Sequence, residues 1–137
     1  MKKLSFLIVI LSCSFFAKAQ DSRWKLLFHN DTSRTYVDTE RTQKLPYLNG
    51  HQNVLILWLR VLPYPSQQDG HGQQTDEKMA LDVANNQLAL MSFIIRRNGN
   101  IIVQNQINIP DWSDIYPETY GEMMLTYGKS YLKSLGE

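Results

Sequence analysis

Residues 54–62 read Val-Leu-Ile-Leu-Trp-Leu-Arg-Val-Leu (VLILWLRVL), and this stretch decides the fold class. In an extended chain Val54, Ile56 and Trp58 point to one side, while Leu55, Leu57, Leu59 and Val61 point to the other. Apolar residues on both faces mark a central strand of a sheet, covered on both sides. The rest of the chain must supply the neighbouring strands and the cover.

Upstream, Trp24, Leu26 and Phe28 alternate with Lys25, Leu27 and His29, a strand pattern with the bulky residues on one face. Asn30-Asp31-Thr32-Ser33 is a turn cluster, and Arg34–Asp38 (RTYVD) reads as the return strand of a hairpin. Residues 39–52 are polar and hold Pro46, Asn49 and Gly50, so they are expected to form a loop with room for a short edge strand. Downstream, residues 63–75 (PYPSQQDGHGQQT) have the composition of a flexible loop. Residues 76–91 admit two readings. Met79, Ala80, Val83, Ala84, Leu88 and Met91 suit a helix, whereas Met79, Leu81 and Val83 in alternation suit a strand broken at Asn85-Asn86. Residues 88–96 read as a strand, Asn98-Gly99 as a type I′ hairpin turn, and 101–107 as a half-exposed strand.

The last element is an amphipathic helix. Pro117 suits a first helical residue, because its missing N–H needs no partner there. Glu118 and Glu122 favour that end through the helix dipole, and Lys129 and Lys133 favour the other. Thr119 and Glu122 have capping-box spacing, but Pro117 places the start earlier. At ~100° per residue, Tyr120, Met124, Tyr127, Gly128, Tyr131 and Leu132 form one stripe that must be buried. Gly121 and Gly128 lie on that stripe, and each costs about 1 kcal/mol relative to Ala inside a helix. Close approach to a sheet accounts for both. The expected fold is α+β: an antiparallel sheet of about five to six strands with one C-terminal amphipathic helix packed on one face.

The N-terminus carries an address. Met1-Lys2-Lys3 is a positive n-region, Leu4–Phe16 is largely apolar, and Ala17-Lys18-Ala19 is an A-x-A cleavage site, the layout of a secretory signal peptide over residues 1–19. The apolar run is too short for a permanent membrane span. A second reading takes Ile10-Leu11-Ser12-Cys13 as a lipobox with Cys13 lipidated, which would leave Phe15-Phe16-Ala17 in what should be a polar tether. Cleavage after Ala19 of the 137-residue chain leaves a single domain of 118 residues, 20–137, without cysteine. It also removes Lys2, Lys3 and Lys18, leaving 11 basic against 13 acidic residues and a net charge of −2. No basic run resembles a nucleic-acid footprint, and no second apolar segment is long enough to cross a bilayer. The protein is therefore expected in the periplasm or at the cell surface.

Several of these segments together resemble the surface-adhesin protein E family. They are Leu81-Asp82-Val83-Ala84-Asn85, the strand to Arg96, the Asn98-Gly99 turn, Trp112…Ile115…Pro117…Gly121-Glu122, and Tyr127-Gly128-Lys129-Ser130-Tyr131. Trp24…Tyr36-Val37-Asp38 and Val54…Trp58 fit the same layout. The resemblance implies a small exported protein of Gram-negative bacteria with a helix-backed antiparallel sheet, whose founding type captures host matrix and plasma proteins. Family members usually carry a cysteine pair joining the middle strand to the last helix, and the matching positions here are Val83 and Met124. The lysine-rich segment that contributes to ligand capture in the adhesin type corresponds to residues 101–108 (IIVQNQIN), which carry no positive charge.

Candidate chemistry is sparse. His29, His51 and His71 stand in separate segments without metal-ligand spacing. Asp111, Asp114, Glu118 and Glu122 serve a helix start more simply than acid–base catalysis. No nucleophile elbow or phosphate-binding glycine loop occurs. The expectation is a protein that is not an enzyme and needs no cofactor or metal. Arg96 and Arg97, the one adjacent basic pair of the mature chain, are candidates for docking an acidic or matrix partner, with Trp112 and Tyr116 as aromatic anchors. The leading expectation is an exported binding protein for a protein macromolecule, with a homodimer as one assembly it admits. The alternative is a periplasmic inhibitor or immunity protein acting on a toxin or wall-degrading enzyme. A third possibility is small-ligand carriage between sheet and helix.

Overall fold

A computed structural model describes residues 23–65 and 72–137. The signal segment, Cys13 and His71 lie outside the described residues. The strands are β1 (Trp24–His29), β2 (Ser33–Asp38), β3 (Gln43–Leu48), β4 (His51–Pro63), β5 (Gln73–Asp82), β6 (Gln87–Arg97), β7 (Asn100–Gln106) and the two-residue β8 (Ser113–Asp114), followed by helix α1 (Tyr120–Ser134). All pairings are antiparallel. The main order is β1-β2-β4-β5-β6-β7, with β3 added to β4 and β8 to β6. The α+β fold expected from the pattern is the fold observed, with the sheet extended beyond six strands by the short β3 and β8.

The apolar run at 54–62 forms the middle of the 13-residue β4. One edge of this strand pairs with β5 through residues 55–61. The other is shared, with β2 on residues 59–63 and β3 on residues 51–56. Leu55, Leu57 and Leu59 join Val37, Met79 and Leu81 beneath α1 and pack against its Met124 and Leu125. Val54 and Ile56 join Ala80 and Ala89 on the opposite face, where Leu45, Leu48, Met91 and Trp112 cover them. Both faces of β4 are thus apolar for different reasons, one under the helix and one flanked by the leucines of neighbouring β3 and covered by Trp112 from the segment before α1.

Several expectations are corrected. The polar stretch 39–52 is a hairpin, with β3 and the start of β4 joined at Asn49-Gly50, whose φ values of +46° and +93° suit a tight primed turn. The ambiguous 76–91 segment is β5, a turn and β6, so Val83 lies just past its strand. A bulge between Leu26 and Phe28 shifts the β1 register. Leu27 then packs with the helix-side core and Phe28 meets Tyr120 edge-on at 6.1 Å, so Trp24, Leu26 and Phe28 do not share a face. Residues 100–106 are exposed throughout, more than a half-buried strand would be.

Pro117 is also not the first helical residue. Glu118 has φ of +61°, a left-handed conformation that breaks any helix through it. The helix starts after Thr119, which is extended. Glu122 Oε2 accepts a hydrogen bond from the Glu118 N–H at 2.7 Å, one residue earlier than a standard capping box, and the Thr119 hydroxyl donates to the Tyr116 carbonyl at 2.6 Å. At the other end Gly136 (φ +85°) closes a Schellman motif, with Gly136 N–H on Lys133 O and Glu137 N–H on Leu132 O.

Both helix glycines are buried against the sheet. A Cβ on Gly128 would lie 2.6 Å from Leu81 Cδ2 and 3.1 Å from Val83 Cγ2. One on Gly121 would lie 2.8 Å from Leu88 Cδ2. Gly128→Ala is therefore expected to destabilise the protein by about 1–2 kcal/mol, because overpacking outweighs the gain of about 1 kcal/mol in helix propensity. Urea denaturation of the mature protein checks this; a stabilised variant would mean that the helix sits farther from β5.

Candidate functional site

The helix covers one face of the sheet, and on the opposite face, beyond the part that Leu45, Leu48 and Trp112 cover, the described residues leave side chains open to a partner. Strand alternation builds that face. Trp24 of β1 pairs across to Asp38 of β2, and Tyr36 to Arg60 of β4. In turn Trp58 pairs to Lys78 and Arg60 to Asp76 of β5, and Gln74 to Arg96 of β6. The result is a row of two tryptophans, each flanked by cations. The Arg60 guanidinium lies 4.1 Å and that of Arg23 5.9 Å from the Trp24 ring centre. Arg41 stands 5.3 Å and the Lys78 ammonium 5.5 Å from that of Trp58. Between Trp58, Lys78, Met91 and Gln104 lies a cleft of about 260 Å³.

Two acids position the arginines of this face. Asp76 accepts from Arg60 Nε at 2.9 Å, from Gln74 Nε2 at 2.9 and 3.0 Å, and is ion-paired to Arg96. Asp38 is fully buried and accepts from Arg23 Nε at 2.8 Å and from the N–H groups of Glu40 and Arg41 at 3.1 and 3.2 Å. Burial opposes its ionisation, but the Arg23 hydrogen bond and charge, with the two N–H groups, outweigh that and hold the carboxyl below its usual range. Because the acids sit inward and the basic groups outward, the face presents cations and indole rings to its surroundings.

A second buried acid closes the far end of the sheet. Asp82 accepts from Asn85 N–H at 3.0 Å, from Asn85 Nδ2 at 2.7 Å and from His51 Nδ1 at 2.7 Å. Burial raises its pKa, and the bonds from Asn85 and His51 more than offset this, so the carboxyl is ionised well into acid. The bond to an ionised acid places the hydrogen of His51 on Nδ1. The imidazole stacks on Trp112 at 3.9 Å and 21°, which turns this tryptophan into cover for the small core of Val54, Ile56, Ala80 and Ala89.

The sequence candidates are dispersed. Arg96 belongs to the cationic face, whereas Arg97 is exposed at the tip of the β6–β7 hairpin. Trp112 precedes β8, which pairs with the opposite end of β6, ten residue steps or about 30 Å away. Tyr116, 66% exposed, also lies at that end, just before Pro117. Arg96 and Arg97 thus do not form one patch with Trp112 and Tyr116. Val83 and Met124 belong to the same apolar cluster, beside Gly128. The groups that sequence reasoning missed are Trp24, Arg41, Trp58, Arg60, Asp76 and Lys78. Their signal was the period-two spacing of Trp58 with Arg60 and of Gln74 with Asp76 and Lys78, visible once residues 73–82 are taken as a strand.

Among the described residues no group of histidines, cysteines and carboxylates is placed to hold a metal ion. No helix there is long and apolar enough to cross a membrane. Comparison with protein-family models, curated proteins and solved structures gave no match.

Depressed carboxyl pKa values set the pH response. Asp38 and Asp82 contribute stability that is present above their unfolded pKa of about 3.9 and is lost as the pH falls through their lower folded values. Asp38→Asn is expected to cost about 1–3 kcal/mol at neutral pH. The gap to the parent protein should narrow below about pH 4, measured by urea denaturation at several pH values. A gap independent of pH would contradict the charged role of Asp38.

Proposed function

We propose that this protein is a non-enzymatic exported binding protein of the surface-adhesin E type, which captures a protein partner through the uncovered face of its sheet. The observation that carries this reading is the pair of cation-flanked tryptophans on the face opposite the helix. Tryptophan and arginine dominate binding hot spots because a large rigid surface and a planar charged fork lose little entropy on contact. Outward cations favour an acidic surface on the partner. The N-terminal signal supports export to the periplasm or cell surface. The resemblance of residues 81–131 to the adhesin family supports the partner class. The exposed outer strand β7, with Ile101, Ile102 and Val103 each more than two-fifths exposed, supports a homodimer as the assembly.

Solid-phase binding of the mature protein to host matrix and plasma proteins tests the reading. Saturable binding is expected, weakened about tenfold by Trp58→Ala or Lys78→Glu and unchanged by Lys129→Glu on the outer face of α1. Absence of saturable binding contradicts it. Inhibition of a wall-degrading enzyme or toxin by the same protein would instead favour the periplasmic inhibitor.

A further inference from the structure

The helix-side face holds one acidic residue that no strand or helix neighbour pairs. Glu77 of β5 stands opposite Leu59 in register and therefore faces α1, in line with Met79 and Leu81. An apolar residue at this position would extend the core. The chain instead places a carboxyl there, at the wall of a cleft of about 210 Å³ lined by Phe28, Ser33, Thr35, Val61, Glu77 and Tyr120.

Among the described residues Glu77 has no ion pair or side-chain hydrogen bond, and burial alone raises its pKa. Beside it the Tyr120 hydroxyl is buried without a hydrogen-bond partner. Burial raises the pKa of this phenol far above its ordinary value, with the Glu77 charge adding to the effect. Thr35 lies near enough to favour the phenolate slightly but is not placed for a full hydrogen bond. A buried hydroxyl without a partner, beside a half-buried carboxylate without a counter-ion, is costly in a folded protein and calls for a ligand. The lining residues include acceptors and aromatic rings, and no basic side chain.

We propose that this cleft binds a small alkylammonium group, with Glu77 as counter-ion and Phe28 and Tyr120 as aromatic walls. A carboxylate together with aromatic rings is the arrangement that attracts organic cations, through charge and through the negative ring faces. Tyr120 Oη and Thr35 Oγ1 are acceptors for the remaining N–H groups of a primary ammonium. The cleft is smaller than the ~300–1,000 Å³ typical of drug-sized ligands, which fits a head group on a short carbon stem. The same chemistry is carried by a free amine and by a lysine side chain of another protein. This site lies on the opposite side of the sheet from the tryptophan face, so the two readings stand independently.

Titration of the labelled mature protein with n-butylamine, followed through backbone amide shifts in NMR, tests the proposal. Saturable shifts at Thr35, Glu77 and Tyr120 are expected at millimolar concentration, with n-butanol at least tenfold weaker. Glu77→Gln keeps the shape of the side chain and should weaken n-butylamine at least tenfold while leaving the fold intact, checked by circular dichroism. Parallel titrations with cadaverine and with a capped lysine peptide distinguish a free amine from a protein lysine. Binding by either supports the site and identifies its source. No saturable shift with any of the amines overturns the proposal, as does equal binding of butanol or undiminished binding by Glu77→Gln.

Discussion

The close approach of α1 to strands β4 and β5 is the contact on which the rest of this structure depends. At Gly128 the helix comes so near that a single methyl group would collide with Leu81 and crowd Val83 and Leu55. That proximity lets Met124 and Leu125 reach the leucines of β4 and complete a dry layer. It also lets the two tyrosines beyond reach across the sheet. Tyr131 donates to the Thr42 carbonyl at 3.0 Å, and Tyr127 shares a hydrogen bond with the Thr42 hydroxyl at 3.2 Å. Thr42 in turn donates to the Asp38 carbonyl, so the turn holding Asp38 is anchored to the helix. No disulfide joins sheet to helix, since Cys13 is the chain's one cysteine. At the positions where the family resemblance implies a cysteine pair, Val83 and Met124 contribute apolar packing instead.

Covering one face commits the other. Its lower half is plugged by Leu45 and Leu48 from β3 and by Trp112 stacked on His51. Among the described residues the upper half receives no such cover, and there the residues change from Val54 and Ile56 to Trp58 and Arg60 along a single strand. Lys78 and Asp76 follow the same change along β5. Arg23, Arg41 and Arg60 are held by inward acids and lie over indole rings, an arrangement that fixes long side chains in place before a partner arrives.

Much of the fold was legible because its signals are local. The two-sided apolar run gave β4, Asn98-Gly99 gave a hairpin, and the glycines at 121 and 128 gave the buried stripe of the helix. Other features depend on what the chain meets elsewhere. The Asn49-Gly50 hairpin was hidden because β3 has few apolar residues and contains Pro46. Strand β5 was ambiguous because its outer face is polar, for the same reason that this face is free. The bulge at Leu27 and the left-handed Glu118 have no composition signature. Of the cationic surface only Arg96 was legible, since a pair such as Lys78 with Trp58 exists only after strand register brings distant segments together. The bond between His51 and Asp82 was missed on the same grounds.

The most direct test of the central contact is a set of proton NOEs from the Gly128 α-hydrogens in the mature protein. Strong NOEs to the methyl groups of Leu81, Val83 and Leu55 are predicted, since these are the atoms that a Cβ at this position would meet. Their absence, with the methyls of Leu81 and Leu55 exposed to solvent probes, would show that the helix does not seal this face of the sheet and would contradict the account.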